Sequence, residues 1–203
     1  MKTIATLALS PTAAHLAQAS TILQNGGLVA FPTETVYGLG ADASNDHAVA
    51  KIYQAKGRPQ FNPLIVHVAN VQTARRFVQW NALADQLAQA FWPGPLTLVL
   101  PRKKDALLSD LLSAGLPTIA IRVPKHPVAK ALLTQFGGVV AAPSANPSGQ
   151  ISPTSPAHVR SGLDGRIDAI VDGAVCTVGL ESTIVQLDDG AVLSRPGGVA
   201  LAA

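Results

Sequence analysis

The sequence predicts an α/β fold, and three observations carry that prediction. Short apolar runs, each long enough for a buried strand, alternate with segments whose apolar residues recur at helical spacing. Glycine, proline and asparagine punctuate most junctions between them. Hydrophobic residues make up 48% of the 203 positions and charged residues only 13%, so a sizeable core fits and disorder does not. No internal repeat and no linker divides the chain, which suits one domain.

The first helix is expected to start at Ser10, a capping residue followed by a first-turn Pro11. Leu16, Ala19 and Leu23 mark its inner face, with Ile22 alongside, and Asn25-Gly26-Gly27 ends it. Leu28 to Phe31 reads as a strand that must stop at Pro32, which has no N–H to give a ladder. Thr33, Glu34 and Thr35 follow at once, with Gly38 and Gly40 supplying backbone freedom beyond them. In open α/β sheets ligands collect at the carboxyl ends of strands, so this strand end is expected to floor a substrate cleft. A helix from Asn45 or Asp46 to Lys56 comes next, stopped by Gly57 and Pro59.

Further on, a strand is predicted over 64–68, helices over 71–79 and 82–91, and a strand over 96–100. A helix over 105–114, a strand over 118–123, a helix over 126–136 and a strand over 139–142 continue the alternation. Residues 143–156 break it, with four prolines and four serines in fourteen positions, a composition that suits a functional loop. A short helix at 156–161 and strands at 167–171 and 182–187 follow. Asp188-Asp189-Gly190 turns the last of these into 191–194 as a hairpin.

Composition narrows the function classes. Lys and Arg number 15 against 12 Asp and Glu, a net +3 that is compatible with an anionic ligand or RNA and with ordinary soluble proteins. The single cysteine, Cys176, excludes an internal disulfide and a paired-cysteine metal site. No apolar run is long enough for a transmembrane helix. The stretch from Met1 to Leu9 begins like an export signal, but Ser10-Pro11 cuts it short, and a cytoplasmic location is expected.

Four polar clusters fall at or beside strand ends: Thr33-Glu34-Thr35, Lys56-Gly57-Arg58-Pro59 with Asn62, Ser144-Ala145-Asn146, and Glu181-Ser182-Thr183. Arg122 and Arg195 add cations at two more. Each has a plain structural alternative. Lys56 and Arg58 are placed to complement the end of the preceding helix. His67 shares a strand face with Ile65 and on its own reads as a packed core histidine. Ser148 reads as a loop serine. Arg122 follows Ile119-Ala120-Ile121 and is costly to bury unless an anion meets it. Glu34 and a carboxylate ligand are both open as that anion. No P-loop, G-x-G-x-x-G, G-x-S-x-G or H-E-x-x-H motif is present. An enzyme built from these residues would act by placing and polarising substrates.

Taken together, Phe31-Pro32-Thr33-Glu34-Thr35-Val36-Tyr37-Gly38-Leu39-Gly40, Lys56-Gly57-Arg58-Pro59 with Asn62-Pro63-Leu64, and Pro143-Ser144-Ala145-Asn146-Pro147-Ser148-Gly149 resemble the YrdC-like family. Leu180-Glu181-Ser182-Thr183-Ile184-Val185 and Arg195-Pro196-Gly197-Gly198 extend the resemblance over roughly residues 12–200. It implies a twisted open mixed sheet with flanking helices and a large concave cationic cleft. The activity implied is threonylcarbamoyl-AMP synthesis from L-threonine, bicarbonate and ATP, with pyrophosphate released. A downstream transferase complex would then carry the threonylcarbamoyl group to tRNA.

By the same resemblance Thr35, His67, Arg122 and Ser182 would hold threonine. Arg58, Asn62, Thr118, Ser144, Ser152 and Arg195 would hold ATP. Lys56 and Arg58 would act on the charge developing at the phosphates, with Mg2+ sharing the task through ligands the sequence does not identify. Longer members continue past Arg-Pro-Gly-Gly into a linker and a second domain. The expectation here is a single catalytic domain over 1–203. Two alternatives stand beside this reading. One is a double-stranded RNA-binding module without catalysis, weakened by only nine aromatic residues. The other is a carbamoyl-adenylate module like those of hydrogenase maturation proteins, which sit beside zinc-binding cysteines that a chain with one cysteine does not carry.

Overall fold

The structure, a computed structural model, describes residues 4–200. Its strands are β1 (Leu7–Leu9), β2 (Val29–Phe31), β3 (Gly38–Asp42), β4 (Ile65–His67), β5 (Leu96–Pro101), β6 (Thr118–Arg122), β7 (Val140–Ala141), β8 (Ala169–Val171), β9 (Thr183–Gln186) and β10 (Val192–Arg195). They form one ten-stranded mixed sheet in the order β1-β8-β2-β3-β7-β4-β6-β5-β9-β10. The helices are α1 (Ala13–Gln24), α2 (Asp46–Lys56), α3 (Val71–Ala74), α4 (Ala82–Phe91), α5 (Pro127–Phe136) and α6 (Pro156–Leu163).

Alternation along the strands sorts the side chains into two layers. On one side of the sheet Ala30, Leu39, Ala41, Val66, Leu96, Leu98, Leu100, Ile119 and Ile121 pack in one core with Val49, Ile52 and Tyr53 of α2 and Ala84 and Ala88 of α4. On the other side Val29, Phe31 and Val140 meet Leu16 and Leu23 of α1 and Leu132 and Leu133 of α5. The second helical layer covers only the β1-β8-β2-β3-β7 half. Across β4, β6, β5 and β9 that face carries no helix, and the hollow it leaves is the cleft.

The sequence-based expectations meet several corrections. Gly38 and Gly40 are not loop residues but belong to β3, paired antiparallel with β2. A Cβ on Gly40 would come within 2.9 Å of Phe31 and 3.0 Å of the Val29 carbonyl, so close strand packing explains this glycine. Thr12, not Ser10, caps α1 by accepting the His15 N–H, while Ser10 pairs its hydroxyl with the His15 ring. The helix expected over 71–79 is only α3, because Val78 turns out to bridge Arg102. The helix expected over 105–114 shrinks to one 3-10 turn at Asp110–Leu112. Leu7–Leu9, the apolar stretch before Ser10, forms an edge strand on β8; residues 1–3 lie outside the described residues. Among the described residues no helix is long and apolar enough to cross a membrane.

Candidate active site

The cleft encloses about 500 Å³ and its floor is a sheet face rather than a row of strand ends. Ile65 and His67 of β4, Thr118, Ala120 and Arg122 of β6, Val99 of β5, and Ile184 and Gln186 of β9 point into it. The alternate residues of the same strands are the core of the previous layer. Register does the positioning: β4 and β6 run parallel with His67 opposite Arg122 and Ile65 opposite Ala120. Thr33 and Thr35 close one wall from the β2–β3 turn, Pro143 and Ser144 another, and Glu181, Ser182, Ser194 and Arg195 a third.

Arg122 is 3% exposed and fully engaged on one side. Its Nε donates to the Gly94 carbonyl at 3.1 Å, Nη1 to Thr35 Oγ1 at 3.0 Å and Nη2 to Glu34 Oε1 at 2.7 Å. Glu34 is therefore the anion that meets it, and Glu34 Oε2 also accepts the Lys125 N–H at 2.9 Å. One N–H on each terminal nitrogen of Arg122 remains uncommitted, and the side chain lines the cleft. Burial lowers the Arg122 pKa and the Glu34 charge raises it again.

His67 is neutral. Burial first, then the Arg122 charge, push its pKa down to about 3, and its buried Nδ1 has no hydrogen-bond partner. An unpaired buried ring nitrogen beside a cavity is what a ligand polar group can satisfy. Ser182 Oγ lies 2.8 Å from Thr97 Oγ1 and 3.1 Å from Arg195 Nη2. Arg195 also donates to the Ser182 carbonyl, which holds its guanidinium at the rim.

Of the residues proposed from the sequence, Thr35, Arg58, His67, Thr118, Arg122, Ser144, Ser182 and Arg195 share this one cleft. Lys56, Asn62 and Ser152 are outside its lining: Lys56 is buried, while Asn62 and Ser152 are half-buried next to the lining residues Pro63 and Glu181. Lys56 does not cap its own helix: its ammonium crosses to the Ser144 and Asn146 carbonyls, at 2.5 Å each. It is 3% exposed, and burial, assisted by the Arg58 charge, lowers its pKa to about 8. Arg58 likewise turns away from the helix end, to the Asn62 and Pro63 carbonyls. Ser152 donates to Glu181 Oε1 at 2.6 Å. Glu181, Gln186 and Asp188 also line the cleft; Glu181 was expected only as part of a polar cluster at a strand end, Asp188 only as a turn residue, and Gln186 in no role at all. The period-2 pattern of Thr183–Gln186 was the available signal for Gln186.

Residues 21–197 match the Sua5/yciO/yrdC family profile, described as telomere recombination. This chain belongs to that family. The threonylcarbamoyl-AMP synthase of Bacillus subtilis (strain 168) is 53% identical over 193 residues, which are 94% of this chain and 56% of that protein. The structure of Pyrococcus abyssi Sua5 in complex with L-threonine superposes with a TM-score of 0.94 at 42% identity, covering 97% of this chain and 59% of that one. The chain thus spans little more than half the length of these relatives. The threonylcarbamoyl-AMP synthase of Halorhodospira halophila is 42% identical over 85% of this chain and 90% of its own length. Membership in the Sua5/yciO/yrdC family accounts for the mixed sheet and the position of the motifs around one hollow.

Proposed function

We propose that this chain is an L-threonylcarbamoyladenylate synthase, supplying threonylcarbamoyl-AMP for the threonylcarbamoyladenosine modification of tRNA. One observation carries the reading: a buried guanidinium and a neutral buried histidine, opposite each other on β4 and β6, face the same cleft as Arg58, Ser144 and Arg195. An amino acid and a nucleotide then lie side by side. The L-threonine complex of the Pyrococcus protein and the name of the similarly sized Halorhodospira protein support it.

Arg122 takes the threonine carboxylate through its uncommitted N–H groups, with Thr35 and Ser182 hydroxyls and the His67 ring around the amino acid. Bicarbonate adds to the threonine amine to give a carbamate, with loss of water. A carbamate oxygen attacks the α-phosphate of ATP, and pyrophosphate leaves. Arg58, Thr118, Ser144 and Arg195 position the nucleotide, so the rate comes from placement and from cations facing the phosphates. Lys56 reaches the site through the Ser144–Asn146 carbonyls it holds in place.

Mg2+ enters as part of the nucleotide substrate. Among the described residues no three His, Cys, Asp or Glu side chains gather to hold an ion unaided. Two carboxylates, Glu181 and Asp188, line the cleft, and a carboxylate there fits an ion whose other ligands would be phosphates and water. The product would pass to a transferase complex acting on tRNA. Incubation with L-threonine, bicarbonate and Mg·ATP should release pyrophosphate only when all three are present; release independent of threonine would overturn the proposal.

A further inference from the structure

Glu181 lines the cleft on the same wall as Ser182 and Arg195, and the synthase reaction places no threonine or nucleotide group on it. Its Oε1 accepts from Ser152 Oγ at 2.6 Å and its Oε2 lies 3.3 Å from Arg195 Nη2. Arg195 belongs to the nucleotide side of the cleft in the proposed reading, and Ser152 braces the carboxylate beside it. The carboxylate is also near enough to Lys56, Arg58 and Arg122 to favour the charged form of each. Those cations come from α2, the loop after it, and β6, while Arg195 ends β10. Glu181 itself is held by its backbone: its carbonyl accepts the Gly198 N–H at 2.9 Å, and a Cβ on Gly197 would come within 2.3 Å of that carbonyl. Ser152 and Arg195 hold the carboxylate on the side of the cleft that the proposed reading gives to the phosphates.

A polyphosphate entering alone has to displace Glu181 from Ser152 and Arg195 and then lie against an unpaired like charge. A divalent cation on the phosphates removes that repulsion and gives the carboxylate a partner in place of the one it loses. We infer that Glu181 makes the nucleotide subsite demand a divalent-cation-bound polyphosphate, discriminating against metal-free ATP by charge. The inference rests on the nucleotide reading of the cleft and adds to it a preference for one ionic form of the substrate.

The test is calorimetric titration of the full chain with ATP, in threonine-free buffer, with excess Mg2+ or with a chelator. The wild-type chain should bind Mg·ATP at least tenfold more tightly than metal-free ATP. In Glu181→Gln that ratio should collapse toward one, mainly because metal-free ATP binds more tightly. Glu181→Ala should do the same, and since the side chain is 36% exposed neither change should cost the fold. An undiminished ratio in both variants, with ATP still binding, overturns the role of Glu181 alone. Failure of the wild-type chain to bind ATP in either form overturns the nucleotide reading and this inference with it.

Discussion

Arg122 Nη2 lies 2.7 Å from Glu34 Oε1, and the two side chains are only 4% and 7% exposed. The pair joins β6 to the turn after β2 and so ties the cleft floor to its wall. Removing the carboxylate leaves a cation buried without its counter-charge. Glu34→Ala should cost about 3–5 kcal/mol of stability, read from urea denaturation. A loss below ~1 kcal/mol, the range of exposed pairs, would contradict the burial of this contact.

Arg122 has a second duty in the proposed mechanism, and Arg122→Lys separates the two. An ammonium keeps the charge for Glu34 but cannot also serve Gly94, Thr35 and a ligand carboxylate in the planar geometry of a guanidinium. Loss of charge-assisted hydrogen bonds worth roughly 1.5–3 kcal/mol should weaken threonine binding about 10- to 100-fold. Calorimetry with threonine measures it, and an unchanged affinity would remove Arg122 from the amino-acid site.

Lys56 predicts a pH dependence of stability. Its folded pKa is lowered from 10.5 to about 8, so between those values the unfolded chain binds the extra proton and the folded chain does not. Stability therefore rises as pH climbs through that window, and below it the full cost of burying the ammonium is present. The span corresponds to about 3 kcal/mol at 1.36 kcal/mol per unit. Denaturation midpoints of wild type and Lys56→Met, compared from pH 7 to 10, should diverge in favour of wild type at the alkaline end. A constant difference would mean that the two carbonyls keep the ammonium charged throughout.

Gly197 sits against the backbone of the Glu181–Thr183 segment, with a Cβ there reaching 2.3 Å from the Glu181 carbonyl and 2.6 Å from Thr183 N. Backbone cannot step aside as a side chain can. Gly197→Ala should destabilise the fold by about 1–3 kcal/mol and shift Ser182 and Arg195 together. ATP binding should fall while the Glu34–Arg122 contact, which lies outside the segment that Gly197 packs on, persists. Nucleotide titration and thermal unfolding of the variant test both halves.

Much of the fold was legible because local chemistry and tertiary context agree. Asn25-Gly26-Gly27 and the left-handed Gly57 end helices where the residue types require it. The apolar runs at 64–68, 96–100 and 118–123 became β4, β5 and β6, with alternate residues buried in the helix-backed core and facing the cleft. Disagreement came where partners far along the chain decide. Gly-Leu-Gly at 38–40 has poor strand propensity, yet it is a central strand since only glycine lets Phe31 and Val140 approach. Val78 left a helix for a bridge to Arg102, a contact no local spacing announces.

The sequence by itself determined the α/β class, the residue types of the chemistry, and the motifs that mark the family. Only the tertiary structure decided that the cleft is a sheet face rather than a row of strand ends. The reason is that α1 and α5 cover one half of that face and leave β4, β6, β5 and β9 bare. It also decided which polar residues look into the hollow and which brace it. Period-2 alternation assigns a side chain to one of two faces, but which face stays open depends on where the helices pack. That is how His67 and Arg122 come to face the hollow, while Lys56 is turned inward to hold a loop.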